Sequence, residues 1–543
     1  MDAGLVSTMA SGWASRRELE RVPDEARQYA VAMRDGVRLA TDVYLPGRGR
    51  WPALMCRTPY DKAGTECFLP DVAAWFCDRG FAVVLQDVRG KARSDGKFDP
   101  HRQEIADGHD TLSWIATQPW CNGRIGAFGD SYSGYAAWAA AATGHRNLAA
   151  IAPRVCAPDV DAMRNRGGVL QLEQLCLWAL ETALDESLYD GALDWSIRPL
   201  SRIVPAALGV DAMPAVDRAL ESPIASLILP AGSRTSVLHL GGWWDIMRAA
   251  QVDAWRMMRR RRGHHLVMDA VDHAWLPVAD PGAHPRDPRS TGRSWQSFLD
   301  RYLGGLDEFF SSVLTDRPEH SLPRIRINHP WIGWREETEW PPPRARRQVL
   351  YLEGNADDGR LSPSSPSPSQ AAWRHDPSHP VPSLVNPFWT LARPPDLACL
   401  ADRDDVRSFA LPAQDHPMDL AGPAAVTAFL SSSAPSAHLI ATLVDVYPDG
   451  RRMFIATGAG TGRKPWPRRI AVDIGDVCYR IRPGHRLAVH IASSSYPAIA
   501  PHPGTDAPPW TATHTQPNDQ SLQCGGDDPS LLMLTTQPSG PER

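Results

Sequence analysis

Ile125-Gly126-Ala127-Phe128-Gly129-Asp130-Ser131-Tyr132-Ser133-Gly134, followed by Tyr135-Ala136-Ala137-Trp138-Ala139-Ala140, decides how this chain is read. It begins as an apolar strand, turns at a serine flanked by glycines, and continues as a helix of small residues. Such a turn lifts the serine hydroxyl clear of the sheet edge and sets it at the positive end of a helix, the arrangement of a nucleophile elbow. Ser131 is the candidate nucleophile. The second glycine, Gly134, stands three residues past the serine where the generic pattern has it two past, so a plain connection capped by a hydroxyl is the competing reading.

The sequence before and after the elbow alternates strands with helices. Val37–Leu45, Pro52–Cys56, Phe81–Asp87, Arg124–Phe128 and Ala149–Ala152 read as strands, the later ones nearly all apolar, and Glu104–Gln118 as an amphipathic crossover helix. This is the βαβ grammar of a mostly parallel sheet, an α/β-hydrolase fold. From Cys156 to about Leu229 strand signals fade and Val169–Leu180 reads as an apolar helix, which suggests a helical cap inserted into the sheet; Ser236–Leu240 and His265–Met268 resume it. Beyond Trp340 and the break Pro341-Pro342-Pro343, β-like runs dominate (Gln348–Leu352, Ala424–Ser432, His438–Val446, Arg486–Ala492), which reads as a C-terminal jelly roll. Ser362–Ser369, built of Ser and Pro, reads as an exposed loop. The expected segments are 1–155 and 231–340 for the α/β-hydrolase domain, 156–230 for the cap and 345–543 for the jelly roll.

The chain has 543 residues, 43% hydrophobic and 22% charged, as in an ordinary multidomain globular protein. Lys plus Arg (57) nearly balances Asp plus Glu (62), so the net charge of −5 provides no field for gripping nucleic acid or an anionic membrane. Met1–Leu5 shows no signal sequence, and no apolar run is long enough to span a bilayer. Nine scattered cysteines without Cys-x-x-Cys spacing read as reduced thiols of a cytoplasmic protein. No metal-ligand spacing appears, and neither a metal nor a cofactor is expected. A small-molecule partner fits best, and a homo-oligomer is compatible with the composition.

A serine nucleophile needs a base and an orienting acid, which in this fold follow in the order Ser, Asp, His. Asp245, in Gly241-Gly242-Trp243-Trp244-Asp245, and His273, in Asp269-Ala270-Val271-Asp272-His273, each stand just past a strand, where open α/β sheets build their sites. Each has a plainer reading: Asp245 as the cap of a helix over Ile246–Arg259, His273 as a loop histidine among 18, with His239, His264 and His265 as competitors.

These motifs, together with Met33-Arg34-Asp35-Gly36-Val37-Arg38-Leu39-Ala40-Thr41-Asp42-Val43-Tyr44, Arg57-Thr58-Pro59-Tyr60-Asp61-Lys62 and Gln86-Asp87-Val88-Arg89-Gly90, resemble the X-Pro dipeptidyl-peptidase, cocaine esterase and α-amino-acid ester hydrolase family from about residue 28 to residue 500. In that family the elbow reads Gly-x-Ser-Tyr-x-Gly, which accounts for Gly134. The resemblance implies a hydrolase domain, a helical cap and a jelly roll that helps close the site. It also implies Ser131 as nucleophile, Asp245 as acid, His273 as base, and an oxyanion hole made by the Tyr60 hydroxyl and the Tyr132 backbone N–H. Without it, Tyr60 reads as a packing aromatic. Met247 falls where the family places an acyl-pocket side chain. The chain departs from the family at the base, where Gly-Pro-Trp-x-His is replaced by Asp269-Ala270-Val271-Asp272-His273, and after Ser493-Ser494-Ser495-Tyr496-Pro497; the tail from Thr513 matches the family poorly and is expected to be partly disordered.

The implied activity is serine hydrolysis of a small ester or amide through an acyl-enzyme. Acyl transfer or cyclisation by the same intermediate, X-Pro dipeptide cleavage, and a non-catalytic binding role are the alternatives. Trp178 and Trp244 are expected to line the substrate pocket with Met247. Asp159 and Asp161 are considered both as ammonium ligands and as helix caps.

Overall fold

Near-continuous apolar strands need cover on both faces, and that need shapes the first part of the molecule. The computed structural model describes residues 19–64, 67–184, 193–273, 275, 292–316, 322–354, 359–385 and 395–539. Met1–Leu5 lies outside them. The chain first lays down β1 (Arg27–Ala32), β2 (Arg38–Tyr44), β3 (Trp51–Thr58), β4 (Ala82–Asp87), β5 (Cys121–Asp130) and β6 (Leu148–Arg154). Three helices alternate with them: α1 (Leu69–Cys77), α2 (Glu104–Thr117) and α3 (Tyr132–Ala142).

An insertion follows, with α4 (Val160–Arg164), the two-residue strands β7 (Asn165–Arg166) and β8 (Val169–Leu170), α5 (Leu172–Leu184), α6 (Ile203–Leu208) and α7 (Pro214–Glu221). The apolar run read as a helix from Val169 is therefore divided. Gly167 and Gly168, with φ of 62° and 77°, fold Val169 and Leu170 back on Asn165 and Arg166, and the helix begins at Leu172.

The first sheet then resumes with β9 (Ser236–Gly242), α8 (Arg248–Met258), β10 (His264–Asp269), α9 (Gly292–Leu314), β11 (Ile325–His329) and β12 (Gly333–Glu337). Its ten strands run in the order β1-β2-β4-β3-β5-β6-β9-β10-β11-β12, parallel from β4 to β11 and antiparallel at both edges. One face is covered by α2 and α3 (Leu112, Ile115, Trp138), the other by α1 and α9 (Phe76, Leu303, Phe310). Phe310 sits so close to β5 that a Cβ on Gly126 would lie 2.7 Å from its ring.

The remaining strands are β13 (Arg346–Glu353), β14 (Gly359–Ser362), β15 (Ser369–His375), β16 (Val406–Ala410), β17 (Met418–Ser432) and β18 (Ser436–Val446). They continue with β19 (Arg452–Arg463), β20 (Arg468–Ile481), β21 (Arg486–Ala492), β22 (Asn518–Cys524) and β23 (Leu531–Gln537). Because β23 pairs with both β13 and β17, the array closes on itself and few strand edges stay open. The Ser/Pro stretch is the mostly exposed loop between β14 and β15. The expected disorder of the tail is corrected: β22 and β23 are regular strands. Hydropathy hides β22 because two of its inward positions are polar, Asn518 and Gln520, and the Ser493 hydroxyl donates to Gln520 Oε1 at 2.9 Å. Among the described residues no helix is long and apolar enough to cross a membrane.

The parallel sheet buries histidines that the site does not use. His239 (1% exposed) packs between the Trp138 and His264 rings, at 5.5 and 6.0 Å, and neither of its ring nitrogens has a hydrogen-bond partner among the described residues. Burial holds it neutral, far below the usual histidine range, and brings His264 down to about 4. An unfolded histidine takes up a proton near pH 6.5. The stability these residues give is therefore complete above pH 6.5 and is lost as pH falls toward 4, by up to about 3 kcal/mol for His264. The melting temperature is expected to drop between pH 7 and pH 5, and to drop less in His239→Leu; an equal drop in both would contradict this assignment.

Candidate active site

The elbow is built by close packing. Ser131, between β5 and α3, has φ 52° and ψ −119°, a backbone region that a side chain rarely occupies. It is held at both ends: its N–H donates to Arg154 O on β6 at 3.0 Å, and its carbonyl accepts the Tyr135 N–H at 3.0 Å. A Cβ on Gly129 would lie 2.5 Å from Ser133 Cβ, and one on Gly134 would lie 2.5 Å from Cys156 Sγ and 2.8 Å from Gly129 O. The position facing β6 is thus the third after the serine, which is why Gly134 stands there and Ser133 is tolerated one residue earlier.

Tyr132 opens α3. Its ring is buried and stacks on Trp178 at 6.2 Å, and its hydroxyl donates to Glu104 Oε1 and accepts the His101 N–H, both at 2.9 Å. Glu104 is in turn paired with buried Arg57 at 2.6 Å. The side chain thus fixes the first helical residue, whose backbone N–H has no carbonyl within the helix to receive it.

Tyr60 follows β3. Trp178 Nε1 donates to its hydroxyl oxygen at 3.2 Å, so the cap reaches down to orient the phenol. The turn is secured by Lys62, whose N–H donates to Asp87 Oδ1 at 2.8 Å and whose ammonium lies 3.2 Å from Asp87 and 3.3 Å from Asp42. Burial pushes the Asp87 carboxyl up to about 6 in spite of Lys62.

Asp245 and His273 come from the carboxyl ends of neighbouring parallel strands, β9 and β10. The two loops interlock: Trp243 N–H donates to Asp269 O at 2.9 Å and Trp244 N–H to Val271 O at 3.1 Å, and a Cβ on Gly242 would lie 2.3 Å from Val271 O. His273 Nδ1 lies 2.7 Å from Asp245 Oδ1 with both side chains buried. Burial opposes the imidazolium, but Asp245, aided by Asp272, outweighs it and raises the His273 pKa.

Ser131, Tyr132, Trp178 and Met247 line one cavity of about 60 Å³, together with His101, Arg164 and Gln174, which the sequence did not single out. Gln174 Nε2 donates to Met247 Sδ at 3.5 Å. Trp244 is not among the residues that line this cavity. It is 5% exposed, packs edge-on to Tyr479 of β20, and borders a separate space between α8 and the β-rich unit, because the interlock with Val271 turns it away from the elbow. Asp159 caps α4, accepting the Ala162 N–H at 2.8 Å, and Asp161 accepts the Ile224 N–H at 2.9 Å, so both serve backbone groups. Among the described residues no group of His, Cys, Asp and Glu could hold a metal.

Residues 35–275 match the family model of the X-Pro dipeptidyl-peptidase (S15 family), and residues 313–533 that of the X-Pro dipeptidyl-peptidase C-terminal non-catalytic domain. The chain is 31% identical to a cocaine esterase from Rhodococcus sp. over 537 residues, 87% of this chain and 91% of that protein. A solved α-amino acid ester hydrolase superposes with a TM-score of 0.77 at 22% identity, covering 97% of this chain and all of that one. An aminopeptidase from a marine sediment Thaumarchaeota archaeon gives 0.76 at 20% identity, covering 96% and 98%. The solved structures share the fold, and the family models and the cocaine esterase relative mark the chain as a serine hydrolase acting on esters or amides. The chain belongs to the X-Pro dipeptidyl-peptidase and cocaine esterase family.

Replacing Asp245 by Asn keeps the shape of the pair and removes the charge that favours imidazolium. His273 is expected to titrate above pH 6.5 in the native protein and below it in Asp245→Asn, followed by NMR of the imidazole ring. An unchanged midpoint would show that Asp245 does not set its charge.

Proposed function

We propose that Ser131 attacks the substrate carbonyl while His273 takes its proton and Asp245 holds the imidazole tautomer and stabilises the cation formed. The observation that carries this reading is the buried 2.7 Å contact of His273 with Asp245 at strand ends that also present a strained serine. The oxyanion receives the Tyr60 hydroxyl and the Tyr132 backbone N–H. The Trp178 bond to the phenol oxygen supports that role, since it occupies a lone pair and turns the phenol proton elsewhere. His273 then protonates the leaving alcohol or amine, water attacks the acyl-enzyme with the same base, and Ser131 is released. This chemistry uses protein groups alone. Trp178 and Met247 shape the acyl side.

In this reading residues 1–155 and 231–340 supply the catalytic frame, 156–230 the cap and 345–543 the β-rich unit. The enzyme acts in the cytoplasm, in keeping with nine cysteines that are all free thiols.

A fluorophosphonate is expected to add once, at Ser131, as mapped by peptide mass spectrometry, and to leave Ser131→Ala unlabelled; an adduct elsewhere would overturn the assignment. Tyr60→Phe is expected to lower kcat by roughly 10²- to 10³-fold on an aryl ester with the melting temperature unchanged, as losing one oxyanion donor does. Unaltered turnover would remove Tyr60 from the oxyanion hole.

A further inference from the structure

His101 stands just ahead of α2, at φ 68°, and lines the cavity that opens on Ser131. Three rings hold its imidazole: Tyr132 at 4.6 Å and Trp178 at 5.6 Å, both tilted, and Tyr135 edge-on at 4.8 Å. All three of those residues line the same cavity, so the imidazole belongs to its wall. The His101 main chain holds the tyrosines in return, its N–H donating to the Tyr132 hydroxyl at 2.9 Å and its carbonyl accepting the Tyr135 hydroxyl at 3.2 Å. Among the described residues neither ring nitrogen takes part in a hydrogen bond. A plain aromatic ring would make the same three contacts. What histidine adds is its two nitrogens.

Burial first, then the charges of Arg164 and Arg102, holds that imidazole neutral, well below the usual histidine range. A neutral imidazole carries one N–H donor and one lone pair, and either nitrogen can hold the proton. Leaving both without a partner in a desolvated space is costly, and a polar atom of a bound acyl group removes that cost. Much of the remaining wall is apolar, from Val160 and Met163 of α4 to Leu175 and Met247. At about 60 Å³ the cavity has room for only about four water-sized groups, so the acyl chain it takes is short. Resting on Ser131 as the nucleophile, we propose that His101 is a specificity-determining residue whose imidazole hydrogen-bonds the acyl group, and that the preferred substrates are esters or amides of short acids carrying an uncharged oxygen on the acyl chain, as ether, hydroxyl or ketone. The bonds broken and formed are those of the acyl-enzyme steps above.

The test compares phenyl 3-methoxypropanoate with phenyl pentanoate, which differ by an ether oxygen in place of a methylene, each kcat/KM being divided by the rate of alkaline hydrolysis of that ester. Native enzyme is expected to favour the ether by about 3- to 10-fold, the range for one neutral hydrogen bond. His101→Phe keeps a ring for the three aromatic contacts and is expected to abolish that preference; His101→Gln, which returns an uncharged N–H, is expected to restore part of it. A change that merely loosens the wall slows both esters and leaves their ratio in place. The native ratio depends on no variant folding. A native preference for the pentanoate or for neither ester, a ratio that His101→Phe leaves unmoved, or an equal loss in the Phe and Gln variants would overturn the proposal while Ser131 still takes the fluorophosphonate. Absence of labelling at Ser131 in the native protein would overturn the nucleophile assignment instead.

Discussion

Ser131 is held in a backbone conformation that costs about 1–3 kcal/mol, and the rest of the site depends on the packing that enforces it. Two glycines let β5, β6 and α3 approach until backbone meets backbone, and hydrogen bonds to Arg154 and from Tyr135 leave the serine no relaxed alternative. Beneath the turn, Asp130 accepts from buried Arg154 at 2.7 Å and also from the Tyr302 hydroxyl of α9, and the Arg154 guanidinium lies 3.3 Å from the centre of the Tyr302 ring. The elbow is thereby tied to a helix on the far face of the sheet. Strain at the reacting residue is supported by ordinary packing well away from it.

The second half of the site uses the geometry of parallel strands. Their carboxyl ends deliver loops to one edge, and between β9 and β10 those loops are locked by two backbone hydrogen bonds and a glycine without room for a side chain. Asp245 and His273 need no long reach to meet. Burial alone would keep His273 neutral; the neighbouring carboxylate reverses that preference, which is the electrostatic requirement of a base that must hold a proton briefly.

Local chemistry made much of this legible in the sequence. The elbow announces itself through small residues around a serine, and Asp245 and His273 through their positions after apolar strands. Trp178 and Met247 both line the cavity that Ser131 borders. Residues that reach the site through tertiary packing gave no such signal: His101 sits in a loop at φ 68°, and Arg164 and Gln174 belong to a cap whose placement follows from distant contacts. β22 was hidden by the inward polar residues Asn518 and Gln520, which hydrogen-bond one another, a pattern that average hydropathy scores as loop.

The cap is keyed into the β-rich unit as firmly as into the frame it covers. A Cβ on Gly167 would lie 2.0 Å from Ala459 O of β19, Arg166 pairs with Asp473 at 2.9 Å, and Trp510 Nε1 donates to Asp217 at 3.1 Å. Backbone bonds run from Ala500 N–H to Leu170 O and from Ser201 N–H to Trp510 O, both at 3.0 Å. The two halves match separate family models, yet the cap belongs structurally to both. A fragment ending after the first sheet would carry the nucleophile beneath a cap that has lost these contacts to the β-rich unit.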